Sequence, residues 1–153
     1  MKAITPKCYN KILEEIDDIQ KNQLTAIAEE ISIARSHGDL RENAQYSSAK
    51  EKQRMIESRL ADLEEVISTY SIFKDEDKKF TKVTFGATVE IQFLDDDSIK
   101  TFQILSDYEA DINKNIISIN APIAKGILDL EKDDEATIIL KGKEREVLIR
   151  KII

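Results

Sequence analysis

Two long stretches in the first half of the chain carry apolar residues at helical spacing. In the later stretch the inward positions alternate steps of three and four without a slip, which is the seam pattern of a coiled coil: Tyr46, Ala49, Gln53, Ile56, Leu60, Leu63, Ile67 and Tyr70. In the earlier stretch about one apolar residue falls in each turn: Ile12, Ile16, Ile19, Ile27, Ile31 and Ala34. The pattern predicts two amphipathic helices of ~30 residues, each on the order of 45 Å long.

A short polar corner connects the two stretches. Thr5 and Pro6 suit the cap and the first position of the first helix, which we expect to run to about Ser36. Two amphipathic arms joined by so short a corner fold back on each other, because this buries both stripes in one seam. We therefore predict an N-terminal antiparallel coiled-coil hairpin over residues 1–75, with residues 36–44 at its exposed tip.

The corner contains residues that begin and end helices. Gly38 suits the left-handed position that ends a helix, and Asp39 can cap the next one. Glu42 lies three residues later and would complete a capping box. Spacing alone favours this structural role for both acids over a chemical one.

From about Val83 the hydrophobic period changes from helical to alternating. A charged run without periodicity precedes it and predicts a linker over residues 76–82. Alternating or short apolar runs predict strands at residues 87–93, 100–105, 116–119, 137–140 and 146–150. Residues 122–130 can form one or two helical turns. Short strands with one short helix predict an α+β globular domain over residues 83–153.

Composition and charge exclude several classes of protein. The chain has 153 residues, 41% of them hydrophobic and 35% charged, with no apolar run long enough to cross a membrane. The net charge is −7, and residues 82–153 hold 10 basic and 14 acidic residues, so neither half is basic and general nucleic-acid binding is not expected. The first residues lack a secretory apolar core, and Cys8 is the single cysteine, so we expect a cytoplasmic protein without disulfides.

The corner and a second segment far along the chain resemble one known family. Residues 38–46 read Gly-Asp-Leu-Arg-Glu-Asn-Ala-Gln-Tyr, with Ala-Arg-Ser-His at 34–37 before them and Ala-Lys-Glu-Lys-Gln at 49–53 after them. Residues 120–126 read Asn-Ala-Pro-Ile-Ala-Lys-Gly. This is similar to the bacterial Gre transcript-cleavage factors of the GreA type, in the family's order and spacing.

The resemblance implies a fold and a function. The C-terminal domain would be an FKBP-like antiparallel β domain with a short helix. The coiled coil would enter the secondary channel of bacterial RNA polymerase in an elongation complex. Asp39 and Glu42 match the family's tip acids, which share a magnesium ion in the polymerase active centre and stimulate hydrolysis of backtracked RNA. The factor would not be an enzyme alone and would have no cofactor of its own.

Four basic residues near the corner form a candidate RNA contact. They are Arg35, Arg41, Lys50 and Arg54. Lys50 and Arg54 are four residues apart and share one flank of the helix. The resemblance places Arg35 and Lys50 in a patch that touches the phosphates of the RNA 3′ end. The alternative, which stays open, is that each is an ordinary surface charge.

The resemblance implies that the second matching segment helps to dock the globular domain against the polymerase. It comprises Pro122, Ile123, Ala124 and Lys125. Lysine stands at 125 where the family commonly has arginine, so a contact with a carboxylate would keep its charge and lose the bidentate geometry. The alternative is a helical turn that only packs on the core.

A different class of function also fits a hairpin of this kind. In a non-cleaving or inhibitory protein that binds the secondary channel, Asp39 and Glu42 would only cap a helix. The intact sequence of residues 39–43 favours the cleavage cofactor. Prolyl isomerase activity is not expected, because the predicted globular domain holds few aromatic residues to line a pocket.

Overall fold

The structure is a computed structural model that describes residues 2–37, 44–74 and 78–153. The chain forms two compact units. The hairpin unit is Lys7–Ser71, and the globular unit combines Met1–Pro6 with Ile72–Ile153.

The hairpin unit consists of two helical arms. The first arm is continuous through α1 (Pro6–Asp18), a π-helical segment (Ile19–Gln23) and α2 (Leu24–Ser36). The second arm is α3 (Ala44–Thr69). All eight predicted seam residues on the second arm are buried or half-buried, and five of the six on the first arm are buried: Ile12, Ile19, Ile27, Ile31 and Ala34. The predicted coiled-coil hairpin is thereby confirmed.

Contacts between the arms fix their direction. Ile27, Ile31 and Ala49 form a buried cluster that spans the seam. Glu15 accepts two hydrogen bonds from Arg59, at 2.8 and 3.0 Å, and Glu30 lies 3.5 Å from Lys52. Later residues of the first arm thus meet earlier residues of the second. The arms are antiparallel, as predicted.

The π-helical segment accounts for an irregular step in the first stripe. Ile19 and Ile27 are eight residues apart, which would turn Ile27 about 80° away from Ile19 in a regular α-helix. The extra residue in a π-bulge offsets about 100° of rotation, which leaves Ile27 within about 20° of Ile19. Both side chains are buried, 1% and 3% exposed, so the bulge returns the stripe to the seam.

The globular unit is built on a five-stranded sheet with the order β5-β4-β3-β7-β6. Its strands are β3 (Thr88–Phe93), β4 (Ile99–Leu105), β5 (Ile116–Ser118), β6 (Glu135–Leu140) and β7 (Lys143–Ile152). The helix α4 spans Pro122–Ile127. Each predicted strand is present. The sheet is antiparallel except where β5 lies parallel to β4, so it is mixed and not purely antiparallel.

Two short strands extend the globular unit. The sequence predicts a hairpin that extends to residue 75, but α3 ends at Thr69 and the chain continues as β2 (Ser71–Ile72), which pairs with β1 (Ala3–Ile4). The amide of Phe73 donates to the carbonyl of Ile4 at 2.8 Å. Two-residue strands have no period to read, so this pairing had no sequence signal.

The core of the globular unit lies between the sheet and α4. Alternate residues of β3, Val89, Ile91 and Phe93, are buried with Ile123 and Ala124 of α4. Phe85 and Phe102 are also buried, at 0% and 1% exposure. The aromatic residues of this domain are thus largely used for packing.

Candidate functional site

The two predicted tip acids, Asp39 and Glu42, and the basic residue Arg41 lie outside the described residues. The flanks are described: α2 ends at Ser36, and α3 begins at Ala44. Their roles, including the shared magnesium ion, therefore stay predictions. Among residues 2–37, 44–74 and 78–153, no group of three or more histidine, cysteine, aspartate or glutamate side chains is arranged to hold a metal.

Three of the four predicted patch residues are described, and they lie near the tip end of the hairpin. The Arg35 guanidinium lies 5.7 Å from the ring centroid of Tyr46, across the seam. Tyr46, Lys50 and Arg54 are each four residues apart on α3 and so share one flank. The structure therefore brings Arg35, Lys50 and Arg54 to a common side of the hairpin.

The charges of this basic patch, Arg35, Lys50 and Arg54, are engaged to different degrees. Lys50 donates to the neutral amide of Gln53 at 2.8 Å, so its charge is not compensated by that bond. Arg54 forms an ion pair with Glu51 one turn away. Lys52 pairs with Glu30 of the other arm. It lines a groove with Gln45 and Ser48, on a different flank from the patch.

An ion pair reinforces the middle of the hairpin. The hydrogen bond from Arg59 holds the pKa of the Glu15 carboxyl below its ordinary value. Both side chains are more than a third exposed, so solvent screens the pair and its contribution to stability is small. Its bidentate geometry matches the axial register that the buried seam sets.

The predicted docking segment divides into buried and exposed residues. Ile123 and Ala124 are 8% and 0% exposed and belong to the core of the globular unit. Pro122 and Lys125 are exposed. Residues three apart share one face of a helix, so Pro122 and Lys125 lie together while their neighbours point inward. Any docking through side chains of this segment would involve Pro122 and Lys125.

The backbone before α4 is held by a residue that sequence reasoning missed. Asp107, in the turn after β4, accepts a hydrogen bond from the Ser118 hydroxyl and one from Asn120 Nδ2, the latter at 2.9 Å. These bonds lower the pKa of the Asp107 carboxyl, and the charge of Lys125 adds to the effect. The partners are 11 and 13 residues away in sequence. Only the parallel β4–β5 pair brings them together, so no local pattern could reveal this network.

None of the helices within the described part of the chain is long and apolar enough to cross a membrane.

Comparison with known proteins covers nearly the whole chain. Residues 2–72 match the family model described as "Transcription elongation factor, N-terminal", and residues 77–153 match "Transcription elongation factor, GreA/GreB, C-term". The transcription elongation factor GreA of Helicobacter acinonychis is 42% identical over 138 residues, covering 90% of this chain and 84% of that protein. The GreA of Helicobacter pylori strain Shi470 is 41% identical, with the same coverage of both chains.

Solved structures also align with nearly the whole chain. The crystal structure of GreA factor homolog 1 from Thermus thermophilus is 20% identical, with coverage of 100% of this chain and 99% of that one and a TM-score of 0.46.

The hairpin, the mixed-sheet domain and the two family matches define a transcription elongation factor, a class of accessory factor that acts on RNA polymerase. The chain belongs to the GreA/GreB family and is of the GreA type. These findings do not favour the alternative of an inhibitory channel binder.

Proposed function

We propose that this elongation factor inserts its hairpin into the secondary channel of bacterial RNA polymerase, in the cytoplasm, and stimulates the polymerase's own hydrolysis of backtracked RNA. Asp39 and Glu42 act together there as ligands that help to hold a magnesium ion. The observation that carries the proposal is a narrow two-helix hairpin whose connecting corner contains both acids.

Stimulated RNA hydrolysis would require only metal-binding carboxylates from the factor. Magnesium prefers oxygen ligands and commonly takes one or two carboxylates from a protein while it keeps several waters. A pair of metal ions can stabilise the attacking and leaving oxygens of an in-line displacement at phosphorus. Two carboxylates delivered to a polymerase that already holds one magnesium ion can therefore complete the second metal site. The factor needs no cofactor of its own.

A stiff hairpin would help to deliver the two carboxylates to the polymerase active centre. The buried seam and the cross-arm pairs Glu15–Arg59 and Glu30–Lys52 oppose bending and sliding of the arms. The basic patch lies on the same end of the hairpin as the corner, where its charges would contact the phosphates of the RNA 3′ end. Pro122 and Lys125 would dock the globular unit against the polymerase.

Conservative changes at the corner test the metal role. We expect Asp39→Asn and Glu42→Gln each to abolish stimulated RNA shortening in a halted elongation complex, because each removes an anionic oxygen ligand and leaves size and capping ability almost unchanged. Binding to polymerase should persist. Asp62→Asn and Glu57→Gln, the same changes on the exposed surface of α3, serve as matched controls. Undiminished cleavage by both corner variants would rule out the metal role.

A further inference from the structure

The turn that follows β4 is held in place without help from the side chain of Asp107. The buried Ser106 accepts from the amide of Glu109 at 3.2 Å through its hydroxyl and from the amide of Ala110 at 3.0 Å through its carbonyl. Its hydroxyl donates to the Glu109 carboxylate at 2.9 Å. Glu109 also accepts from the Thr5 hydroxyl at 2.5 Å. The position of the Asp107 backbone is therefore fixed by its neighbours.

The side chain of Asp107 projects from this fixed turn toward the connection between β5 and α4. One carboxylate oxygen accepts from the Ser118 hydroxyl, and the other accepts from Asn120 Nδ2 at 2.9 Å. The Ser118 hydroxyl in turn accepts from the amide of Asn120 at 3.0 Å. An exposed acid that makes two side-chain bonds across a sheet edge stabilises the connection, because it replaces water at both donors with one anionic acceptor.

The connection leads directly into the exposed pair Pro122 and Lys125. The amide of Ala121 donates to the carbonyl of Ser118 at 2.9 Å, and the amide of Lys125 donates to the carbonyl of Ala121 at 2.9 Å. Pro122 is the first residue of α4, and its ring fixes φ there. Few rotatable bonds therefore lie between the groups that Asp107 holds and the backbone that orients Pro122 and Lys125.

Charge also links Asp107 to the same surface. The ammonium groups of Lys125 and Lys2 both lie close enough to favour its ionised form. Neutralising Asp107 would remove a negative charge that interacts with both lysines.

We propose that Asp107 is a positioning residue for polymerase docking: through Ser118 and Asn120 it fixes the start of α4 and so presents Pro122 and Lys125. This inference rests on the docking part of the proposed function. Asp107 itself need not touch the polymerase.

Asp107→Asn is the informative variant, since it replaces one of the two acceptor oxygens with an NH₂ donor and removes the charge. Asp111→Asn is the matched control, because Asp111 caps the next turn by accepting from the amide of Asn113 at 3.0 Å and asparagine caps equally well. Two readouts are needed: amide hydrogen exchange at residues 120–125 in the free protein, and equilibrium affinity for the polymerase elongation complex. The melting temperature shows that each variant is folded.

We expect Asp107→Asn to lose protection at Asn120 and Ala121 and to bind polymerase about three- to tenfold more weakly, the scale of one ordinary net hydrogen bond. The melting temperature should stay close to that of the wild type, since Ser106 and Glu109 hold the turn. Asp111→Asn should change neither readout. In combination with Lys125→Ala the losses in affinity should be less than additive, because both act through one surface.

Unchanged protection in Asp107→Asn, or fully additive losses in the double variant, would overturn the proposal. Failure of the proposed cleavage function is distinguishable from this. Hydrogen exchange needs no polymerase, and binding can be measured where no RNA is cleaved.

Discussion

Gly126 shows at the scale of one residue why the matching segment ends in glycine. A Cβ placed on Gly126 would lie 2.6 Å from Cγ2 of Ile138 on β6, a branched methyl in the buried core that cannot swing away. The glycine therefore permits α4 to approach the sheet closely. The local pattern of residues 122–130 offers no reason for the glycine, because the neighbour that requires it is 12 residues away on another element.

We expect Gly126→Ala to destabilise the protein. Overpacking costs about 1–3 kcal/mol, and the better helix propensity of alanine returns at most about 1 kcal/mol. The net loss of roughly 1 kcal/mol should lower the melting temperature by about 2–4 °C. Ile138→Ala removes the clashing methyl. The stability lost in the double variant should therefore be smaller than the sum of the losses in the two single variants. An additive result in thermal denaturation would contradict the clash.

At the scale of elements, the π-helical segment decides the register of the first arm. It lies between Ile19 and Ile27, at the single step where the stripe is one residue too long for a heptad. Its side-chain bonds are local and exposed: Asn22 and Gln23 donate to Asp18 at 2.8 and 2.7 Å. The extra residue is thus absorbed by the backbone, and both flanking isoleucines stay in the seam.

Deletion of Asn22 should therefore be tolerated. It makes Ile19 and Ile27 seven residues apart in the chain, which a regular α-helix places within about 20° of one face. We expect the free energy of unfolding to stay within about 1 kcal/mol of the wild type, because only exposed hydrogen bonds are lost.

Deletion of Glu57 on α3 is the control. It removes one residue from a seam that has no extra one, and so rotates the residues beyond it by about 100°. Chemical denaturation should show a loss of several kcal/mol, since buried seam residues such as Leu63 would leave the interface. Equal losses for the two deletions would show that the π segment does not serve as a register correction.

At the scale of the whole molecule, net charge and local charge act in opposite directions. The chain carries −7 overall, so it repels nucleic acid at long range. At physiological ionic strength, screening limits the interaction between exposed charges to about 8 Å. A small basic patch can contact phosphate within that distance. Specific contact with RNA would therefore depend on Arg35, Lys50 and Arg54 and not on the average charge.

Charge-neutral changes in the patch test this point. We expect Lys50→Gln and Arg54→Gln to weaken stimulated RNA shortening severalfold at low salt and to make the response less dependent on salt, because each removes about one phosphate contact. Lys52→Gln is the matched control on a different flank of α3, where its ammonium already pairs with Glu30. If the patch variants respond to salt like Lys52→Gln, the patch is ordinary surface.

The sequence alone predicted the long helices and the strands of the five-stranded sheet, and the resemblance of its two matching segments implied the class of protein. The seam on α3 and the alternation in β3 are local patterns that periodicity reveals, whereas the two matching segments are informative only through their resemblance to a known family. The predicted antiparallel hairpin followed from two stripes and a short corner, since a single arrangement buries both.

Tertiary structure decided which of the predicted residues face outward. Ile123 and Ala124 belong to the core while Pro122 and Lys125 are exposed, because α4 packs on the sheet with one face only. It also joined Asp107 to Ser118 and Asn120 through the parallel β4–β5 pair. Burial and strand pairing depend on contacts between residues that are far apart in the chain, and local sequence patterns do not reveal such contacts.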